Sequence, residues 1–236
     1  MKVVLSRKGM DSRAGGIPSP ILPDGMLLSL PIPNEKSGVP YDALVYKGRT
    51  YQQIIQQIHP TFDFQKHPFC HLDPDIYGVL KNKPARWKPA FGQYEIPAKH
   101  LDGQGVDVGD VFLFYGMFRQ TEELPDGTFH FKKGAPIQHI IYGYMVVSEI
   151  LKDQDKIKEL YPWHPHAAST NHPDNRLYLA TDYGVFKNRD SLLLSKPGQP
   201  NRRLWNLPAF CASSDVSISW QGKNLSLIHI SEPTRL

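Results

Sequence analysis

Cysteine is scarce. The 236 residues contain two, Cys70 and Cys211, far apart in sequence. That spacing excludes a disulfide framework and a zinc site built of cysteines. Long apolar runs are absent as well, so no stretch reads as a transmembrane helix. No secretory signal or lipidation motif appears, and the chain reads as a soluble cytoplasmic protein with no membrane partner. Charge of one sign is also lacking. A net charge of +4 does not argue for nucleic-acid binding unless it is gathered into a patch. Neither a Walker loop nor a dinucleotide fingerprint is present.

What the chain does have is proline, glycine and aromatic residues. Its 21 prolines and 18 glycines predict a loop-rich fold with few long helices. Hydrophobic content of 40% and aromatic content of 11% are enough for a sizeable core. The strongest strand signal is Gly109–Arg119, where the Gly109-Asp110 turn opens an unbroken apolar run to Tyr115. Such a run reads as a strand covered on both faces. A second strand is expected over Ile137–Val147, and Pro125-Asp126-Gly127 between the two is a turn. Further strands are expected at Met1–Ser6, Met26–Pro33, Tyr41–Tyr46, Arg176–Ala180 and Leu192–Leu194. Tyr51–Ile58 reads as a helix capped by Thr50 and ended by Pro60, and Leu151–Leu160 as a second, charged helix. The expected class is α+β, mostly β: a single domain with a bent sheet or barrel and a few short helices.

Four stretches carry candidate chemistry. The first strand runs into a basic, glycine-containing loop with Arg7, Lys8, Asp11, Ser12, Gly15 and Gly16. Glycine lets backbone N–H groups approach an anion and the two cations add charge, so the loop is a candidate nucleotide or phosphate site; the alternative is an ordinary surface loop held by Pro18 and Pro20. His71, Asp73 and Asp75 alternate, and on an extended strand would project to one side. One imidazole and two carboxylates can do acid–base work or hold a divalent cation, whose identity stays unknown. The alternative is that both aspartates cap a turn. Lys81–Arg86 beside Trp87, followed by Gln93, suits a nucleic-acid backbone with a stacked base, and equally a solvated loop with one anchored ring. Trp163–His166 holds His164 and His166 in a proline-rigid segment near a possible pocket, although the spacing matches no standard zinc pattern.

The Gly109–Arg119 and Ile137–Val147 pair resembles the core of the PUA-like superfamily, which includes PUA, ASCH, EVE and YTH domains. Several segments together resemble one family, the nucleotide modification-associated domain of the third type. They are Leu5–Pro33, His71–Ile76, Ala90–Gln93, His100–Arg119, His139–Val147, His164–Ala167 and Leu204–Phe210. The resemblance implies a bacterial or phage protein associated with modification of nucleic-acid bases, whose partners are nucleic acid or nucleotide and other base-modification proteins. It implies first a pocket that recognises a modified base or nucleotide. Trp87, Tyr115 and Phe118 would stack, and Gln93, Asp110, Arg119 and His139 would contact the base. The alternatives are an enzyme working through His71, Asp73 and Asp75, with His164 or His166 beside them, or a structural partner in a modification complex. Leu225–Arg235 resembles a translated sequencing adapter. The expected division is a domain over 1–224, cut short at its C-terminus, and a non-native tail over 225–236.

Overall fold

The structure is a computed structural model that describes residues 1–85, 87–168 and 172–206. Cys211, the segment Leu207–Phe210 and the expected tail over 225–236 lie outside the described residues. In chain order the strands and helices are β1 (Val3–Arg7), β2 (Ser19–Ile21), β3 (Ile32–Pro33), β4 (Val45–Tyr46), β5 (Arg49–Thr50), α1 (Tyr51–Ile58), β6 (Cys70–His71) and β7 (Ala90–Gln93). Then come α2 (Glu95–Gly103), β8 (Val111–Glu123), β9 (Phe129–Phe131), β10 (Ile137–Leu151), α3 (Gln154–Leu160), α4 (Pro165–Ala168) and β11 (Arg176–Val185). The chain is α+β and mostly β.

One seven-stranded sheet organises the molecule, in the order β1-β8-β10-β11-β7, with β2 and β9 also paired to β8. The path is open: it ends at β1 and β7 rather than closing into a barrel. β1 and β2 run parallel to β8, whereas β10, β11 and β7 follow antiparallel. Register shifts near Ile141 and Val147 in β10 mark bulges, and bulges bend a strand. Two small ladders, β3 with β6 and β4 with β5, lie outside the main sheet.

β8 is covered on both faces, as its unbroken apolar run requires. Phe112, Phe114 and Phe118 enter one core with Phe91, Tyr142 and Tyr178. Tyr115 on the other face packs with Ile141, Leu194 and Trp205. Full burial of each such ring contributes about 1.5–3 kcal/mol, and this strand is the main anchor of the sheet. α1 has the expected capping box: Thr50 accepts from the Gln53 N–H, and the Gln53 side chain accepts from the Thr50 N–H. Its Ile54, Ile55 and Ile58 enter a separate core with Tyr41, Leu28 and Leu30.

Three expected strands take other forms. Met26–Leu30 makes isolated bridges and loop bonds, and only Ile32–Pro33 of that stretch pairs as a strand. Tyr41–Ala43 is a 3-10 turn ahead of β4, and Leu192 ends another at Asp190–Leu192. Short apolar runs beside proline or aspartate do not distinguish these forms. No helix among the described residues is long and apolar enough to cross a membrane.

Candidate functional site

Side chains alternate along β1, so Arg7 and Lys8 leave the strand on opposite sides. Gly9, at φ +86, then turns the chain away; a side chain there would collide with the Ser29 hydroxyl. The parallel pairing with β8 fixes where Lys8 goes. Its N–H donates to the Tyr115 carbonyl at 2.9 Å, and its ammonium sits 4.2 Å from the centre of the Phe91 ring. There it meets Asp73.

Asp73 is the centre of the cluster. Its carboxylate is fully buried, and Oδ2 accepts from Lys8 Nζ at 2.9 Å and lies 3.3 Å from His71 Nε2. The Gly92 N–H donates to Oδ1 at 3.0 Å. His166 Nε2 lies 3.7 Å from Oδ2, and His164 Nε2 lies 3.8 Å from Oδ1. The groups around Asp73 arrive from the end of β1, from β6, from β7 and from the α4 segment. The Asp73–Pro74 peptide is cis.

Burial pushes the Asp73 carboxyl up, but Lys8, the His71 hydrogen bond and the other imidazoles together hold it well below the usual carboxylate range. Burial pushes His164 down to about 3 and His166 down to about 4, against the pull of Asp73. Both are neutral near pH 7, so their approaches to Asp73 are not ion pairs. Lys8 and Asp73 form the charged pair at the heart of the cluster.

The hydrogen-bond network fixes the imidazole tautomers. Asn175 Nδ2 donates to Gln154 Oε1 and to the His166 carbonyl, both at 2.9 Å. Its Oδ1 therefore faces His166 Nδ1, at 2.8 Å, and accepts that proton. His166 Nε2 is left with a lone pair turned toward Asp73. His71 is arranged the opposite way. Asn34 Oδ1 accepts from the Lys36 N–H at 2.8 Å, so Asn34 Nδ2 donates to His71 Nδ1 at 2.9 Å. His71 Nε2–H then donates to Asp73. His164 accepts from the His166 N–H at Nδ1 and meets the Ala90 carbonyl through Nε2, so it braces the segment.

Gly92 is as necessary as the polar groups. A Cβ there would lie 2.2 Å from His166 Cδ2, so the ring presses directly on bare backbone. A glycine inside a strand signals such a close approach, and Gly92 in the Ala90–Gln93 strand is the sequence clue to its role. Asn34, Tyr94 and Asn175 carried no comparable signal. Tyr94 packs 5.4 Å from His166 and stacks on His172 at 4.5 Å.

The other expected residues lie elsewhere. Asp75 is buried but does not join Asp73: its Oδ1 accepts from the Val79 N–H at 2.9 Å, and its Oδ2 has no hydrogen-bond partner. Burial pushes it up to about 6. Arg7 pairs with Asp11, whose Oδ1 also accepts from the Arg13 and Ala14 N–H groups, while its carbonyl accepts from Gly16. The loop with Ser12, Gly15 and Gly16 thus directs three N–H groups at Asp11. Asp110 caps its turn, accepting from the N–H groups of Lys2 at 2.6 Å and Asp107 at 2.9 Å. Tyr115 and His139 pack around Trp205, whose indole donates to His139 Nδ1 at 3.0 Å. Phe118 is fully buried, and Arg119 lies over Phe131 and donates to the Lys132 carbonyl. Trp87 is half-buried beside Lys83 and Tyr183, and Gln93 pairs in register with Arg176.

Access to Asp73 is narrow. Side-chain exposure is 13% for Lys8 and 17% for His71, against 4% for His166. Two surface hollows, one by Asp102 and Lys152 and one by Phe186 and Arg189, have no residue of the cluster in their linings.

A family model described as nucleotide modification associated domain 3 matches residues 2–229. The chain belongs to that family. The match contains every residue of the Asp73 cluster, and the family's description ties the chain to nucleotide modification. No curated protein and no solved structure matches the chain.

Proposed function

We propose that this chain acts on a nucleotide, or on a base within nucleic acid, by acid–base chemistry at the Asp73 cluster. One observation carries the reading: Lys8, His71 and the His164–His166 segment arrive from three separate parts of the chain and surround one fully buried carboxylate. Gathering such groups out of water is costly, and folds retain such arrangements chiefly where chemistry uses them. The family membership supports a nucleotide or a nucleic-acid base as the substrate. In this reading His166 Nε2 is the proton acceptor, because Asn175 keeps its lone pair free. Lys8 faces developing negative charge, and His71, the more exposed imidazole, relays protons with Asp73.

Recognition of a base without reaction is the second reading. It is favoured by Trp87, half-buried with the Lys83 ammonium 4.7 Å from its ring centre and exposed Lys88 next in sequence. The aromatic candidates Tyr115 and Phe118 support it less, since both are buried. Incubating the protein with nucleotides and with oligonucleotides, modified and unmodified, followed by mass spectrometry, separates the two. Turnover that Asp73→Asn abolishes, with binding retained, supports the enzyme. Tight binding to a modified base with no turnover, unchanged by Asp73→Asn, overturns it.

A further inference from the structure

We propose that His71 Nε2, Asp73 Oδ2 and His166 Nε2 together bind one divalent first-row transition metal ion, of the zinc or ferrous type. The three ligand atoms lie within 4.8 Å of one another. Zinc bonds of about 2.0–2.1 Å in a tetrahedron place ligand atoms about 3.3 Å apart. His71 Nε2 to Asp73 Oδ2 is already 3.3 Å, and His166 Nε2 to the same oxygen is 3.7 Å. The third edge, His71 Nε2 to His166 Nε2, is within 4.8 Å and shortens when the ion binds.

The electrostatics point the same way. His166 holds its proton on Nδ1 for Asn175, so the Nε2 lone pair faces the Asp73 carboxylate across 3.7 Å. Two acceptors turned toward each other in a buried site repel unless a cation lies between them. Lys8 supplies positive charge to Asp73 Oδ2 from one side, yet no hydrogen bond joins it to His166. Two imidazoles and one carboxylate suit zinc or ferrous iron rather than magnesium or calcium, which prefer oxygen ligands. The Asn175 bond to His166 is also the outer-shell contact that metal-bound histidines use.

His71 adds a switch. Its Nε2 carries a proton because Asn34 donates to Nδ1. Metal binding at Nε2 needs that proton moved to Nδ1 and Asn34 turned to present its oxygen. Asn34→Asp supplies that acceptor permanently.

The site rests on the Asp73 reading and revises it: with metal bound, His71 Nε2 and His166 Nε2 are ligands rather than proton carriers. Metal binding is measured without any nucleotide. Tag-free, chelator-stripped protein is titrated with Zn2+ by calorimetry and with Co2+ by absorption spectroscopy, with Mg2+ as comparison. One Zn2+ per chain is expected, with a Co2+ spectrum of nitrogen and oxygen ligation. His71→Ala and His166→Gln should each weaken Zn2+ by more than about 100-fold, and Asn34→Asp should tighten it by about 10-fold or more. His59→Ala, in the loop after α1, should change nothing. His71 is partly exposed, so its variant reports even if His166→Gln fails to fold. Absence of stoichiometric Zn2+ binding, or unchanged affinity in His71→Ala, overturns the proposal. Turnover that needs Asp73 but no metal leaves the functional reading standing while this one falls. Metal binding without nucleotide turnover does the reverse.

Discussion

Replacing Asp73 by Asn tests the charge arrangement at the centre of the molecule. Asn keeps the shape and can still accept from the Gly92 N–H, so the perturbation is mostly loss of one negative charge. That leaves Lys8 with its ammonium against the Phe91 ring and only 13% side-chain exposure. Removing one member of a buried ion pair costs about 3–5 kcal/mol, because the survivor stays desolvated and unpaired. Lys8 has a partial route to water, which places the expected loss near the lower end, about 3 kcal/mol. In a chain of this length that is a fall in Tm of about 6–12 °C. Adding Lys8→Met removes the stranded charge, so the double variant should regain at least about 2 kcal/mol over Asp73→Asn alone. Urea unfolding of the wild type, both single variants and the double variant closes the cycle. Additive losses, or an Asp73→Asn variant as stable as the wild type, would refute the buried pair as described.

Two further outcomes follow. Gly92→Ala places a methyl group in the space of the His166 ring. It should cost about 1–3 kcal/mol and shift the His166 resonances in an NMR titration, while a serine at exposed Gly16 should leave those resonances in place. Acid sensitivity should come from the buried histidines. His139 is pushed down to about 4, first by burial and then by Arg7, Arg202 and Arg203. Its contribution is complete above pH 6.5 and is lost as the unfolded chain takes up the proton between pH 6.5 and 4, a loss of about 3 kcal/mol. Asp75, raised to about 6, acts in the opposite sense, since the folded chain binds its proton more tightly between pH 6 and 3.8. Asp75→Asn should therefore steepen the loss of stability between pH 7 and 4.5, and His139→Gln should flatten it, as read from urea midpoints.

Much of the sheet was legible because its central strands are long and apolar. β8 and β10 follow from the runs beginning at Gly109 and Ile137, and α1 from its isoleucines and Thr50 cap. α2 was not, since Pro97 reads as a break, although a proline in the first turn displaces no helical bond. Site residues were legible as types but not as a set. Their meeting depends on the parallel pairing of β1 with β8, which carries Lys8 across to Asp73, 65 residues away in sequence. Local alternation grouped Asp75 with Asp73, but the chain after Pro74 turns Asp75 to the backbone of Val79. Arg7 and Lys8 were grouped in one basic loop, whereas in the fold Arg7 turns to Asp11 and Lys8 to Asp73.

The most direct test of the account is nucleoside analysis by mass spectrometry after incubating wild type, Lys8→Met and Asp73→Asn with the same nucleotides and modified DNA. The account predicts a changed nucleotide or base with the wild type and none with Asp73→Asn, at concentrations where circular dichroism shows both folded. Equal conversion by folded wild type and Asp73→Asn would contradict it.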